Sequence, residues 1–315
     1  MPNESVMTVP QELLILGAAV KTGIIEAINN KPMTAGELAG EIRADHRAVW
    51  VVTEALAAMG YLSKKDGQLQ LTDEAMNMLY KPEAPNYTGF SFMHRYNMIN
   101  SWIHLPEVIF SGQPHPRERG LENIKYFMGA MSRGAKLSAP IVADFCLGEG
   151  GKGLKVLDIG GGPLTYARSF ASKGARVTVL DLPEVIDYMK PTLAETKEIE
   201  MVPGDFNLGL PAGPFDIAFL GNICHIYGEN ENRELFKKVF SVLNDEGRIA
   251  VVDFVRGTNP MAAVFGVNML VNTRNGGTWT FEQYSKWLAD AGFYGVALHE
   301  AGGRQLILAQ KNGNK

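Results

Sequence analysis

Three carboxylates and one imidazole, each standing just after an apolar run, carry the chemistry of this chain: Asp158, Asp181, His225 and Asp253. The run Val156-Leu157-Asp158-Ile159 opens into Gly160-Gly161-Gly162-Pro163, and a later run, Val177-Thr178-Val179-Leu180, closes on Asp181. Strand, glycine turn, helix, then a strand tipped by an acid is the pattern of a nucleoside site, with the second acid gripping ribose hydroxyls. Gly160 and Gly162 let the backbone approach a ligand closely. Two details shape the ligand. Thr165 stands where a dinucleotide fingerprint has its third glycine, and Asp158 puts negative charge inside the loop.

That charge suits a cation better than a pyrophosphate. S-adenosylmethionine carries an ammonium, a sulfonium and a ribose but no phosphate, so the loop reads as a methyl-donor site. A glycine-rich loop alone serves a nicotinamide dinucleotide equally well. Ligands of open α/β sheets sit outside the carboxyl ends of the strands, which places Asp158, Asp181 with Leu182, Gly204-Asp205-Phe206, Asn222 to His225, and Asp253 around one cleft. Asp205 is suited to hydrogen-bond an adenine amino group while Phe206 packs on its ring. A residue after Gly204 is equally a turn former.

Of the six histidines (46, 94, 104, 115, 225 and 299), only His225 falls at a strand's carboxyl end in this cleft. Methyl transfer from a sulfonium needs alignment of an already activated donor and a base for the accepting hydroxyl. A phenol of pKa near 10 is protonated at pH 7, and an imidazole of pKa near 6.5 can take its proton, worth roughly 10²–10⁴ in rate. A carboxylate on the far ring nitrogen fixes the tautomer, and Asp253 ends the next apolar run.

These residues need a framework. After Leu154, strands are predicted over 154–159, 176–181, 198–202, 215–220 and 248–254, and helices over 164–173, 183–191, 230–243 and 281–291. The alternation implies a doubly wound α/β sheet. Two short strands at 295–299 and 305–310, separated by Gly302-Gly303, make a terminal hairpin that is foreign to nicotinamide-binding folds. The first third differs, with helices expected over 12–29, 35–42 and 47–59. Thr34 and Glu37 form a capping box for the second helix, and Asp45 caps the third. Residues 61–71 read as a hairpin turning on Asp66-Gly67. Helix, helix and two-stranded wing is a winged-helix pattern. An apolar, Met- and aromatic-rich helical stretch follows from Tyr87, then a linker at 111–116, then one helix over 123–146. The boundary is therefore set as 1–112 for a dimerisation domain with a helical substrate wall and 113–315 for the donor-binding domain. Trp102, Phe127, Met128, Met131 and Asn272 are assigned to the acceptor, although such side chains also serve as ordinary core.

Composition excludes several classes. Hydrophobic residues make up 46% and charged ones 20%, and the formal net charge is −4. Residues 1–85 hold seven Lys or Arg against eleven Asp or Glu. A net-negative winged module with an apolar would-be recognition helix lacks the phosphate contacts that supply DNA affinity, so dimerisation is the expected role. Two cysteines provide neither a disulfide framework nor metal spacing. No secretory or membrane-spanning run is present, so the expected location is cytoplasmic.

The whole pattern resembles the small-molecule O-methyltransferases that include plant caffeate and isoflavone enzymes and bacterial tailoring relatives. Five motifs carry the resemblance: Asp158-Ile-Gly-Gly-Gly162, Asp181-Leu-Pro183, Gly204-Asp-Phe206, Asn222-Ile-Cys-His225 and Gly247-Arg-Ile-Ala-Val-Val-Asp253. Phe127 with Met131-Ser132 is similar to the family's Phe-x-x-x-Met-Ser helix. The resemblance implies a class I methyltransferase sheet behind a winged-helix dimerisation domain. It also implies S-adenosyl-L-methionine as donor, a small aromatic hydroxyl compound as acceptor, a homodimer, and His225 as the base. Three departures stand out. Ile226-Tyr227 replaces the family's Asp-Trp, Asp253 replaces its Glu, and Thr278-Trp279 occupies the place of its second partner acid. The base is thus expected to be held less firmly, and Asp253→Glu to be tolerated. Non-methylating relatives use the same scaffold. A winged-helix regulator and a nicotinamide oxidoreductase are the readings from other classes.

Overall fold

The computed structural model describes residues 9–116, 120–148, 150–193 and 196–312. The chain divides into two compact units, up to Ile99 and from Asn100 onward. The division lies inside a helix, upstream of the boundary at 112 suggested by the 111–116 stretch.

In the first unit, the expected helix over 12–29 is two helices, α1 (Gln11–Lys21) and α2 (Ile24–Asn30). Gly23 lies between them at φ +82°, a left-handed conformation that ends α1. α3 (Ala35–Glu41) begins with the Thr34–Glu37 capping box, and α4 (His46–Ala58) begins where the Asp45 carboxylate accepts from Ala48 N–H at 2.8 Å. β1 (Leu62–Lys65) and β2 (Gln68–Leu71) pair antiparallel across Asp66 and Gly67, both at positive φ as a tight hairpin demands. α5 (Asp73–Tyr80), capped by Thr72, follows. Leu16, Ile25, Ile28, Leu38, Leu56, Leu69 and Leu79 form the unit's core.

α6 (Phe92–Trp102) runs into the second unit, which continues with α7 (Leu105–Ser111), α8 (Leu121–Ala135) and α9 (Ala139–Leu147). The single helix expected over 123–146 is thus broken, and α9 restarts with Pro140 in its first turn, where a missing N–H is harmless. The remaining elements are β3 (Lys155–Ile159), α10 (Thr165–Ser172), β4 (Arg176–Asp181), α11 (Pro183–Met189), β5 (Ile199–Pro203), β6 (Phe215–Gly221), α12 (Glu229–Val242), β7 (Leu243–Asp253), α13 (Pro260–Asn272), α14 (Phe281–Asp290), β8 (Phe293–Ala301) and β9 (Arg304–Lys311). The sheet order is β5-β4-β3-β6-β7-β9-β8, parallel from β5 to β7, with β9 antiparallel to both β7 and β8. Val156, Val177, Phe219 and Val252 face α9 and α10, whereas Leu157, Ala218, Val251 and Ile307 face α12 and α14. Strand order reverses between β3 and β6, so the crevice of this sheet opens at their carboxyl ends. No described helix is long and apolar enough to cross a membrane.

Candidate active site

The glycine loop after β3 is built for close approach. Gly160 and Gly162 have φ of +67° and +47°. A Cβ on Gly160 would lie 2.3 Å from Ile223 Cδ1, and one on Gly161 would lie 2.6 Å from Val179 Cγ1. Asp181 closes the loop, accepting from Gly162 N–H and from Leu182 N–H, each at 2.8 Å. Asp158 is 1% exposed, and its Oδ2 has no hydrogen-bond partner. Burial, reinforced by the nearby Asp181 charge, pushes its carboxyl up to about 8. A buried acid with an idle oxygen beside a glycine cradle is a receptor for a cation or a hydrogen-bond donor.

Beyond β5, Gly204 N–H donates to Asp181 O at 2.8 Å, and the Asp205 carboxylate accepts from Asn207 N–H at 2.8 Å, forming a turn. Phe206 is buried edge-on to Tyr227, with ring centroids 5.3 Å apart, so the residue that replaces the family's tryptophan supports this corner. Asn222 follows β6 at φ +61°, and its side-chain oxygen accepts from Arg304.

His225 sits on a 3-10 turn (Cys224–Ile226) and is 5% exposed. Its Nδ1 meets Asp253 Oδ1 at 2.5 Å, and its own N–H donates to Asp253 Oδ2 at 3.0 Å. Phe254 N–H reaches Oδ1 at 2.7 Å, and the Tyr284 hydroxyl reaches Oδ2 at 2.9 Å. Burial alone would raise Asp253. The attraction of His225 and the hydrogen bonds from His225, Phe254 and Tyr284 outweigh it, holding the carboxyl below its ordinary range. An ionised Asp253 makes Nδ1 the protonated nitrogen and leaves Nε2 as the basic one. Phe265 lies edge-on to the imidazole at 4.9 Å and stacks on Phe254 at 3.9 Å.

The expectation of a loosely held base is overturned. Gly277 N–H donates to His225 O at 2.9 Å, Trp279 Nε1 to Cys224 O at 3.2 Å, and Asn232 Nδ2 to Cys224 O at 2.9 Å. A Cβ on Gly276 would stand 2.5 Å from His225 O, so this glycine lets α13's trailing loop press on the turn. Tyr284, fully buried, supplies the hydrogen bond that the absent acid would have offered, and directs it to Asp253 rather than to the histidine. Sequence reasoning missed Tyr284. Its position after a Thr280–Gln283 capping box shows only that it lies on a helix, and the apolar pattern of α14 reads it as core.

The residues expected to meet the acceptor divide. Trp102 Nε1 donates to Asn268 Oδ1 at 3.2 Å, and Asn272 Nδ2 donates to the same atom at 2.7 Å, so the two meet through a residue that the sequence had not singled out. Phe127 is 39% exposed and Met131 half-buried on α8. Met128 is buried, its sulfur 3.7 Å from where a Cβ on Gly162 would stand, and so it backs the glycine loop.

Residues 152–294 match the family model of the O-methyltransferase domain. That stretch of the chain carries the match to the O-methyltransferase domain, and the likeness to named O-methyltransferases extends along most of the chain. The chain is 26% identical over 299 residues to the 3-hydroxy-5-methyl-1-naphthoate 3-O-methyltransferase of Streptomyces sahachiroi, covering 88% of this chain and 84% of that one. It is 24% identical over 300 residues to the tetracenomycin polyketide synthesis 8-O-methyl transferase TcmO of Streptomyces glaucescens, covering 89% and 87%. Its fold matches the structure of PigF with SAH at a TM-score of 0.78 and 20% identity, covering 98% of each chain. It also matches human N-acetylserotonin methyltransferase in complex with SAM at 0.73 and 21%, covering 96% of this chain and 94% of that one.

Proposed function

We propose that the protein methylates a hydroxyl group of a small aromatic acceptor, with S-adenosyl-L-methionine as donor and His225 as general base. The His225–Asp253 pair carries this reading, because a buried imidazole with its Nδ1 proton fixed by an ionised carboxylate has Nε2 set to accept a proton. When bound, the donor supplies an activated methyl group. The residues that would hold it are the cradle at Gly160 to Gly162, Asp158 for the ammonium, Asp181 with Leu182 for the ribose, and Asp205 with Phe206 for the adenine. The idle oxygen of Asp158 supports the fit. Trp102, Asn268 and Asn272, which are hydrogen-bonded together, and Phe127 and Met131 of α8 are proposed as acceptor contacts. By their names, one relative acts on a hydroxylated naphthoate and another serves tetracenomycin polyketide synthesis, which favours a polycyclic aromatic acceptor.

His225→Ala should bind S-adenosylhomocysteine as the parent does and lose turnover by roughly 10² or more, least with acceptors acidic enough to ionise unaided. An unchanged rate with a weakly acidic phenol removes His225 from the mechanism. The N-terminal unit is proposed to mediate a homodimer. Its α4 exposes Trp50 (50%) and Val51 (47%) in a region of net negative charge. Light scattering should give a mass near twice 34.5 kDa at micromolar concentration. A fully active monomer refutes that assignment.

A further inference from the structure

Arg304 opens β9 at the carboxyl end of the sheet, beside the end of β7 that bears Asp253. It is half-buried. Its guanidinium lies over the Phe254 ring at 5.1 Å and donates one hydrogen bond, to Asn222 Oδ1. Among the described residues it forms no ion pair. Phe254 in turn stacks on Phe265, which meets the edge of His225. The cation and the imidazole therefore lean on the same pair of rings.

A second, independent feature meets it. Tyr166 is 7% exposed, its ring 4.7 Å from Phe219 and 3.4 Å from where a Cβ on Gly221 would stand, so it too lies at the end of β6. Its hydroxyl sits beside Ser138 and closes no hydrogen bond of normal length. Burial raises this phenol, while Ser138 and Arg304 act to lower it and Asp158 adds to the rise. A buried, protonated hydroxyl lacking an acceptor and a guanidinium with idle N–H groups are the two halves of an anion receptor. The planar fork of arginine matches a carboxylate.

We propose that Arg304 and Tyr166 form a carboxylate-binding corner of this site, so that one of its two ligands places a carboxylate there. The inference rests on the reading of this face as the methyl-transfer site. Two sources share the chemistry. Asp158 and Arg304 both act on Tyr166, an arrangement that fits the ammonium and carboxylate of the donor's amino-acid end. An acid group on the aromatic acceptor fits the proximity to the His225 rings.

Calorimetry with two matched pairs separates the sources without needing turnover. The donor pair is S-adenosylhomocysteine and its analogue lacking the carboxyl group. The acceptor pair is 3-hydroxy-1-naphthoate and 2-naphthol, titrated into protein loaded with S-adenosylhomocysteine. The carboxylate member of one pair should bind at least 10-fold more tightly to the parent, and Arg304→Gln should abolish that advantage, a loss of roughly 10- to 100-fold. Arg304→Lys should retain part of it and Tyr166→Phe should reduce it several-fold. The pair affected names the ligand. If the parent discriminates in neither pair, the proposal is overturned with no variant needed. Failure of the base assignment appears separately, as full turnover in His225→Ala.

Discussion

Tyr284→Phe isolates one atom of the His225–Asp253 corner. The variant keeps the ring that packs against Phe236 and Trp287 and deletes only the hydroxyl that donates to Asp253 Oδ2 at 2.9 Å. Burial, Asp253 and Cys224 push the Tyr284 phenol well above its ordinary range, so it remains a donor at every assay pH. The ionised pair, Asp253 carboxylate with neutral His225, gains most from this neutral donor. Adding a proton to the pair, on either partner, reduces the negative charge that the hydroxyl solvates. Removing the hydroxyl therefore destabilises the unprotonated pair relative to the protonated one, and the apparent pKa of the pair rises. A hydrogen bond to a charged group contributes about 1.5–3 kcal/mol and a pKa unit corresponds to 1.36 kcal/mol, so about two units is the ceiling. Three other donors still serve Asp253, which brings the expected rise to about half a unit to one unit. The acid limb of the kcat/KM profile should shift upward by that amount, with the high-pH plateau within a few-fold of the parent. A uniform loss of rate at all pH with an unmoved limb would mean that Tyr284 is only packing, and a downward shift would refute the electrostatic argument outright.

Asp253→Glu, expected from the family comparison to be tolerated, should instead cut turnover at least 10-fold. The Asp253 side chain is fully enclosed, and one more methylene displaces the carboxylate by about 1.5 Å and overpacks the site by about 1–3 kcal/mol; parental kcat in the Glu variant would show that the corner yields. Asp158→Asn tests the buried acid through stability. A folded pKa raised to about 8 from 3.8 means that the folded state holds a proton the unfolded state releases, so the parent loses stability as pH rises between those values and loses no more above them. The unliganded Asn variant should therefore match the parent near pH 4 and unfold at higher denaturant near pH 8, by several kcal/mol, while binding the donor more weakly. Parallel stability curves in urea melts at pH 4 and pH 8 would dismiss the raised pKa.

Legibility from sequence followed the range of the interactions. The capping box at Thr34–Glu37, the Asp66-Gly67 hairpin and the strand–glycine–helix unit around Asp158 are decided within a few residues, and each formed where the local chemistry put it. The terminal hairpin was readable for the same reason, though not its insertion with β9 beside β7. Two helices read as one at Gly23 and again at Lys136 to Ser138, because an apolar period runs on through a break that a left-handed glycine or a first-turn proline makes. α13 escaped notice despite the start signal of Asn259 and Pro260, since an almost uniformly apolar helix has no period to detect.

At the site, residue type and strand position alone determined that His225 and Asp253 would lie at neighbouring strand ends, because a parallel α/β sheet brings the ends of successive strands to one edge. What the side chains do there was decided by packing. Asp253 is shared among four donors from three separate segments, Tyr284 arrives from a helix 31 residues on, and Arg304 meets Asn222 across 82 residues. Contacts of that span leave no period, cap or turn in the sequence. They exist because a buried charge must find partners wherever the fold brings them within reach.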